Sequence, residues 1–287
     1  MAAYRFCRTD DIALLVDALN RCWAPYCPGE PPTTPAVFKR SIRDLQVWCS
    51  SCMVAFAGTD PVGVLIGAKR PSGTLIRRIA IHPDHRRHGH GRHLLTSLAS
   101  KLSILGPPRM VAEVPEGLAP ACELFNTSGY VEEARLTDYI VERHDGETHE
   151  AAGVSDDAGA RFVIPVTVDD LAANGLLGET DAHTCWERSV ETLTARKDDI
   201  AGLAVASDER IEAGLLYTRD GEIVWLRSID DGGTRLQRLL ARLRASGPRT
   251  LWFPKVHPAE ASTSVLEGLG FRPVGGHRLY AATARSH

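Results

Sequence analysis

The chain has 287 residues, 44% of them hydrophobic and 24% charged, and its formal net charge is −3. The composition is ordinary for folded domains, the length suggests two of them, and the slight negative charge argues against a general nucleic-acid binder. No apolar run reaches the about 18 residues of a membrane span, and the start lacks the apolar core of a signal peptide. We therefore expect no membrane partner and a cytoplasmic location.

The seven cysteines form no even framework of the kind seen in disulfide-rich proteins, so we expect reduced thiols. Cys49 and Cys52 have the spacing of half a zinc site. Because no second pair accompanies them, we favour thiols near a buried strand and predict no metal.

The first predicted elements are a strand over residues 4–7 and a helix with its apolar face over residues 12–19. Thr9 or Asp10 is suited to cap this helix. A proline-rich loop over residues 25–35 follows it.

Thr34 before Pro35 predicts a second helix that runs to about Leu45. Turn residues then separate three apolar runs, which predict a meander at the centre of a sheet. The predicted strands cover residues 53–58, 62–68 and 75–81.

The most informative segment follows the third of these strands. Pro83 ends the strand because it has no N–H to donate, and a loop with Arg86, Gly89 and Gly91 leads into a leucine-rich helix. A glycine-rich turn between a strand and a helix start directs several free N–H groups at one point, where the helix dipole adds partial positive charge. The segment therefore predicts a site for a phosphate or a diphosphate.

Neither of two common phosphate-binding sequences fits the segment. The P-loop motif is absent, and the dinucleotide fingerprint lacks its third glycine. The pattern Arg86-x-x-Gly89-x-Gly91, after a hydrophobic strand and Pro83, resembles the acetyl-CoA signature of the GNAT acyltransferases. A predicted helix over residues 119–127 that ends in Gly129-Tyr130 is also similar to these proteins.

The second half repeats the spacing of the first. A tyrosine follows the glycine–aromatic pair by nine residues in both halves, at Tyr139 and at Tyr280. The glycine of that pair follows the last loop glycine by 38 residues in the first half and by 37 in the second, counted from Gly91 and Gly233. Such agreement across several elements predicts a tandem repeat.

The repeat and the resemblance together predict an α/β fold of two tandem GNAT-like domains, each with a mixed, mostly antiparallel sheet flanked by helices. We expect an acetyl-CoA-binding domain over residues 1–145, a polar linker over 146–160 and a degenerate copy over 161–287. In the second copy, Asp230 and Asp231 occupy the loop where phosphates would bind. Like charges repel, so we expect that copy to bind acetyl-CoA poorly or not at all.

The resemblance implies that the first copy holds acetyl-CoA as co-substrate between a strand and the glycine-rich loop. Backbone N–H groups of the loop would hold the diphosphate, and the strand would pair with the pantetheine arm. The N–H of Ile81 would donate to the thioester carbonyl and stabilise the oxyanion. The implied cofactor-binding residues are Ile79, Ala80, Ile81, Arg86, Arg87, His88, Gly89, His90, Gly91 and Arg92.

The acceptor amine must lose a proton, for which Glu113 is the first candidate base and His82 the second. An outward-facing surface carboxylate is the alternative interpretation of Glu113. Many GNAT proteins have a tyrosine as general acid where this chain has Phe125. Either Tyr139 or Tyr130 supplies the phenol instead, or the thiolate leaves without help.

The acceptor is expected to be a small-molecule amine. Trp23, Tyr26 and Glu30, in the region that covers the acceptor in GNAT proteins, are candidate contacts, with loop packing as the alternative. The sequence names neither the amine nor an oligomeric state.

Five arginines and five histidines lie between residues 77 and 93, a density that also occurs in nucleic-acid-binding patches. The glycine spacing and the lack of interleaved aromatic residues favour CoA, so we expect no nucleic acid. The function expected is an acetyl-CoA-dependent N-acetyltransferase. The alternative, favoured by Phe125 and by Leu118 where the family usually has Asn, is a non-catalytic acyl-CoA-binding sensor or partner-binding protein.

Overall fold

The structure is a computed structural model that describes residues 2–142, 162–178, 184–229 and 233–284. The predicted linker over residues 146–160 lies outside these ranges. The helices and strands of the first half are β1 (Ala2–Phe6), α1 (Ile12–Cys22), α2 (Pro35–Leu45), β2 (Met53–Ala57), β3 (Asp60–Arg70), β4 (Gly73–Ile81), α3 (His90–Leu105), β5 (Arg109–Pro115), α4 (Ala119–Thr127) and β6 (Val131–Glu142). Those of the second half are β7 (Phe162–Val166), α5 (Val168–Ala173), α6 (Val190–Ala195), β8 (Ile200–Ala206), β9 (Ile211–Thr218), β10 (Ile223–Ser228), α7 (Thr234–Ser246), β11 (Thr250–Val256), α8 (Thr263–Gly268) and β12 (Arg272–Thr283).

The chain divides into two compact units that do not follow chain order. One unit comprises Met1–Ala134 and Arg278–His287, and the other comprises Arg135–His277. Strand β6 therefore begins in the first unit and ends in the second, whereas β12 begins in the second and ends in the first. The domain boundaries at residues 145 and 161 remain a prediction about the two copies; the compact units assign the last strand of each copy differently.

The first unit is built on a mixed, mostly antiparallel sheet. Strands β1, β2, β3 and β4 pair antiparallel in that order, and β5 lies parallel beside β4. The end of β12 follows β5, and the N–H of Ala284 donates to the carbonyl of Pro108 at 2.7 Å. This confirms the predicted α/β class.

The core of the first unit lies between this sheet and its helices. Helix α3 contributes the leucines that the sequence pattern selects, namely Leu94, Leu95, Leu98 and Leu102, all of which are buried. The same core contains Tyr280 and Ala284 from the end of the chain. The first unit is thus completed by residues that lie more than a hundred positions away in the sequence.

The second unit repeats the meander of the first. Strands β10, β9, β8 and β7 form an antiparallel sheet in that order, and β11 pairs antiparallel with β6. The turn after α8 matches the turn after α4, since Phe271 N–H donates to Leu266 as Tyr130 N–H donates to Phe125. The predicted tandem repeat is therefore confirmed in the fold.

None of the helices in the described ranges combines the length and the apolar composition that a membrane crossing requires.

Candidate functional site

Strands β4 and β5 pair at their first residues and then diverge. The parallel register joins Thr74 to Met110 and Leu75 to Val111, although β4 continues to Ile81 and β5 to Pro115. The divergence opens a slot between the two strands within the first unit.

The register of β4 decides which of its backbone groups face the slot. His82 N–H donates to the carbonyl of Val62, which makes that position a hydrogen-bonded pair with β3. Because such pairs alternate along an antiparallel ladder, Ala80 bonds to β3 and the N–H and C=O groups of Ile79 and Ile81 point to the other side. Two strand residues thus offer backbone hydrogen bonds to an extended ligand.

The loop after β4 shapes the start of α3. Arg87 and Gly89 both have left-handed backbone conformations, with φ of 64° and 81°, and Gly89 is the residue that precedes the helix. Alternation of left- and right-handed conformations turns successive N–H groups toward one concave side, an arrangement that binds anions. Gly91 allows close packing, because a Cβ there would lie 3.0 Å from the Leu124 side chain.

The N–H groups of this loop are available to a ligand. Among the described residues, none accepts a backbone hydrogen bond from the N–H groups of residues 87–92, whereas Arg86 N–H donates to Pro83 at 3.3 Å. The first N–H groups of a 16-residue helix carry the positive end of its dipole. The loop can therefore bind a diphosphate through several N–H donors at once.

Charged side chains surround these N–H groups. The Arg86 guanidinium lies over the Tyr26 ring at 4.2 Å, and Arg92 donates to the carbonyl of Thr127 at 3.2 Å. Arg87 lies 3.4 Å from Glu123 and is largely exposed, so solvent weakens this ion pair. The guanidinium groups of all three arginines therefore lie near the proposed phosphate site.

His90, the first residue of α3, is fixed by the first strand. Its Nδ1 is hydrogen-bonded to Tyr4 Oη at 2.6 Å, and the Tyr4 ring packs on His93 with ring centroids 3.8 Å apart. Burial lowers the pKa of His90, and the neighbouring His88, His85 and His93 lower it further because a second positive charge would be repelled. His90 is thus held toward its neutral form.

A cavity of about 460 Å³ joins the slot to the loop, entirely within the first unit. Of the predicted cofactor-binding residues it is lined by Ile79, Ala80, Ile81, Arg86, Arg87, Gly89, His90, Gly91 and Arg92, and His88 is not part of the lining. Its other lining residues include Trp23, Tyr26, Glu113, Leu118 and Phe125. The cavity therefore collects most of the residues that the motif selected.

The three predicted catalytic residues have different positions. Glu113 lines the cavity, but His82 does not, and its Nδ1 lies 3.7 Å from Asp84. Tyr139 belongs to the second unit, where its hydroxyl is hydrogen-bonded to Thr263 Oγ1 at 3.0 Å. Tyr139 is absent from the cavity because β6 leaves the first unit before reaching this residue.

Phe125, where the resemblance to GNAT proteins implies a general acid, is a buried phenylalanine. Phe125 stacks on Tyr280 with centroids 5.6 Å apart and meets the edge of Tyr130 at 5.1 Å. Tyr130 donates to Met110 Sδ at 3.6 Å, and burial raises its pKa well above the usual range. The repeat in the sequence identified Tyr280 as the residue equivalent to Tyr139. It did not predict that β12 brings Tyr280 into the first unit.

The loop between α1 and α2 covers one end of the cavity. Glu30 Oε2 accepts from Trp23 Nε1 at 3.1 Å and from Arg78 Nη2 at 2.8 Å, and the Arg78 guanidinium lies 4.7 Å from the Trp23 ring. Tyr26 Oη donates to the carbonyl of Ile81 at 2.7 Å. The loop is thus joined to β4 at two places.

The second unit has a different structure at the corresponding helix start. Gly233, with φ of 107°, precedes α7 as Gly89 precedes α3, so the glycines that correspond are Gly89 and Gly233 rather than Gly91 and Gly233. Ile229 N–H donates to Glu212, in the way that His82 N–H donates to Val62. The Glu212 carboxylate pairs with Arg235 at 2.9 Å, so a buried ion pair lies at the start of α7. Asp230 and Asp231 lie outside the described residues.

Comparison with known proteins agrees with this geometry. Residues 14–130 match the model of the acetyltransferase (GNAT) family, and curated protein sequences give no significant match. The chain superposes on a tandem GNAT protein from the clavulanic acid biosynthesis pathway with a TM-score of 0.65, 16% identity and 100% coverage of both chains. A GCN5-related N-acetyltransferase from Sphaerobacter thermophilus gives 0.67 and 13%, covering 99% of this chain and 96% of that one. Another from Anabaena variabilis gives 0.65 and 12%, covering 99% of this chain and 73% of that one. At sequence identities this low, the structural similarity shows that the fold is shared and nothing beyond the fold.

Proposed function

We propose that the N-terminal domain, in which residues 14–130 match the acetyltransferase (GNAT) family, transfers an acetyl group from acetyl-CoA to a small-molecule amine. The observation that carries the proposal is the set of N–H groups over residues 87–92 that have no backbone acceptor among the described residues. They lie beside a strand whose backbone groups face an open slot. A diphosphate bound at the first place directs the rest of an extended cofactor into the second.

The slot supports the chemical step in two ways. Ile79 and Ile81 can pair with the pantetheine arm as a neighbouring strand would. The N–H of Ile81 can donate to the thioester carbonyl, which becomes an oxyanion when the amine attacks. Loss of one such donor typically raises the barrier of an acyl transfer by about 3 kcal/mol.

Glu113 is the proposed general base. It lies on β5 and lines the cavity, which places its carboxylate at the slot where the attacking amine would lose its proton. A general base contributes roughly 10²–10⁴-fold to such a step. His82 is the weaker candidate because it does not line the cavity.

The use of the N-terminal copy is supported by the contrast between the two helix starts. At α7 the Glu212 carboxylate takes part in a buried ion pair, with its side chain 9% exposed. A phosphate there would have to compete with this carboxylate for Arg235. At α3 arginines and histidines outnumber the acidic side chains, of which Glu123 is paired with Arg87.

A matched pair of variants tests the proposal. Gly89→Glu adds a carboxylate at the proposed diphosphate site, whereas Gly233→Glu adds one at the corresponding residue of the second copy. Both glycines have positive φ, and an added Cβ meets no atom closer than 3.8 Å at either position, so the two variants carry similar strain.

We expect amine-dependent cleavage of acetyl-CoA to fall by roughly 10²-fold or more in Gly89→Glu, because the new charge repels phosphate, and to persist in Gly233→Glu. The measurement is thiol release with a library of small amines. Equal loss in both variants would contradict the assignment to the N-terminal copy.

Phe125 favours a second candidate function, that of a non-catalytic acyl-CoA-binding sensor. It occupies the general-acid position of the family with no proton to donate, and it is 1% exposed. Micromolar binding of acetyl-CoA by the unmodified chain, with no thioester loss in the presence of any amine, would establish that function instead.

A further inference from the structure

Tyrosine hydroxyls are candidate proton donors for the leaving thiolate, and all six tyrosines of the chain lie in the described ranges. Tyr26 is the one that lines the cavity. It lies in the loop between α1 and α2, far in sequence from Phe125. Sequence reasoning had considered Tyr26 only as a contact for the acceptor.

The hydroxyl of Tyr26 is placed against the backbone of the slot. It donates to the carbonyl of Ile81 at 2.7 Å, which is a normal O–H···O distance. The N–H of the same residue points to the same side of β4 and is the proposed donor to the thioester carbonyl. The phenol and the proposed oxyanion donor therefore meet at one residue.

The ring of Tyr26 is held in this position by the phosphate-binding loop. The Arg86 guanidinium lies 4.2 Å from the ring centroid, a cation–π distance. Arg86 is also the first residue of the motif that would bind the diphosphate. Binding of the cofactor charge and the position of the phenol are thus connected through one side chain.

The other tyrosines are directed elsewhere. The hydroxyl of Tyr4 bonds to His90, that of Tyr130 to Met110 and that of Tyr139 to Thr263. Tyr280 is completely buried behind Phe125, and Tyr217 belongs to the second unit. None of these five tyrosines lines the cavity.

We propose that Tyr26 is the proton donor to the CoA thiolate, in the role that Phe125 cannot fill. This inference rests on the proposed acetyl transfer. A pantetheine arm that pairs with β4 brings its own amide N–H to the carbonyl of Ile81, which frees the phenol proton of Tyr26 for the sulfur.

The step is balanced in atoms and charge. The amine nitrogen, already deprotonated once, bonds to the acetyl carbon, and the C–S bond breaks with its electron pair on sulfur. The sulfur takes the proton from Tyr26 Oη and becomes the thiol, while the amide nitrogen loses its surplus proton to the base or to water. The phenolate recovers a proton from solvent, so the products are the acetamide and CoA.

The test is Tyr26→Phe in the full chain, which keeps the ring under Arg86 and removes only the hydroxyl. Tyr280→Phe is the matched control, since it removes a buried hydroxyl in the same unit without touching the cavity. For each protein the turnover number with a responsive amine and the Kd for acetyl-CoA are measured, together with the melting temperature.

We expect kcat to fall by about 10²-fold in Tyr26→Phe, at the lower end of general-acid effects because a thiolate is already a fair leaving group, and to stay at the wild-type value in Tyr280→Phe. Binding of acetyl-CoA by Tyr26→Phe is expected to be as tight as in the wild type or tighter, because the carbonyl of Ile81 is released. A wild-type kcat in Tyr26→Phe, whatever its Kd, would overturn the assignment and leave Tyr26 as a cover of the slot. Failure of the proposed function itself would be recognised separately, as a wild-type protein that turns over no amine.

Discussion

Gly89, just before α3, and Gly91, in the first turn of α3, meet different physical demands. Gly89 has φ of 81° with open space around an added Cβ, so its backbone conformation requires glycine. Gly91 has ordinary helical geometry, but a side chain there would press on Leu124. The first glycine shapes the N–H groups of the loop, and the second lets α4 approach the start of α3.

Tyr139 and Tyr280 occupy equivalent positions of the two copies but have different partners, and this difference can be measured. The hydroxyl of Tyr139 is bonded to Thr263, whereas that of Tyr280 lies near Arg278 and Cys122 but forms no hydrogen bond of normal geometry with the described residues. We expect Tyr139→Phe to lower the free energy of unfolding by about 1 kcal/mol and Tyr280→Phe to leave it unchanged or raise it. Urea unfolding of the two variants provides the comparison. A larger loss in Tyr280→Phe would show that its hydroxyl is bonded.

Asp138 links stability to pH in the second unit. Burial pushes the pKa of its carboxyl up, but the His277 imidazole at 3.3 Å and the Lys255 N–H at 2.8 Å outweigh burial and hold that pKa below its ordinary value. A carboxyl with a depressed folded pKa stabilises the fold above its unfolded pKa of about 3.9, and this stability is lost as the pH falls through the folded pKa.

We therefore expect Asp138→Asn to be less stable than the wild type at pH 6, and the difference to disappear as the pH falls below about 4. The free energy of unfolding of both proteins across this range is the measurement. A difference that stays constant with pH would mean that the carboxylate charge does not contribute.

Helix α2 begins as its sequence predicts. Thr34 Oγ1 accepts from Val37 N–H at 3.2 Å, Pro35 is the first helical residue, and the helix ends at Leu45. We expect Thr34→Ala to lower the free energy of unfolding by about 1 kcal/mol. Thr33→Ala is the adjacent control, because Thr33 bonds to Asn20 through its backbone. Equal effects of the two variants in urea unfolding would argue against the cap.

Local patterns predicted most elements because their causes are local. The strand before Pro83 and the leucine-rich helix after Gly89 needed only hydrophobic periodicity and turn residues to be recognised. The divergence of β5 from β4 could not be predicted in this way. Along β5, Val111 and Glu113 alternate with buried residues both where the strand is paired with β4 and where it is not. Divergence depends on the register between strands, which the sequence of one strand does not contain.

The motif of the proposed phosphate site is visible in the sequence, whereas the proposed proton donor is not. Arg86, Gly89 and Gly91 form a contiguous motif with a mechanical reason for each glycine. Tyr26 reaches Ile81 across 55 positions of sequence, through the packing of a proline-rich loop without periodicity. Its hydroxyl could be assigned only once the other tyrosine positions were known.

The exchange of last strands between the copies is a property of the whole molecule. The strands β6 and β12 share a length of 12 residues and a tyrosine at the ninth position, and neither sequence alone tells which unit the strand completes. In the structure the end of β12 supplies Tyr280, and the residue after the strand is Ala284; they are 0% and 7% exposed and belong to the core that supports the cavity. The second copy therefore contributes to the first site through its final strand.

A truncation measures this dependence. We expect a chain that ends at residue 277 to lose a folded first unit, because the loss of a buried tyrosine alone costs about 3–5 kcal/mol and the Ala284 bond to Pro108 is lost with it. A chain that ends at Ala284 is the control and should melt like the full chain. Thermal unfolding and acetyl-CoA binding are measured for both truncated chains. An intact first unit in the shorter chain would contradict the exchange of strands.

The N–H groups at the start of α3 are proposed to bind a diphosphate, and calorimetry tests this binding most directly. Acetyl-CoA and S-acetylpantetheine carry the same thioester and arm, but only the first has a diphosphate. Because each charge-assisted hydrogen bond is worth about 1.5–3 kcal/mol, we predict micromolar binding of acetyl-CoA and binding of S-acetylpantetheine weaker by at least about 10²-fold. Equal affinities for the two, or no binding of acetyl-CoA, would contradict the account.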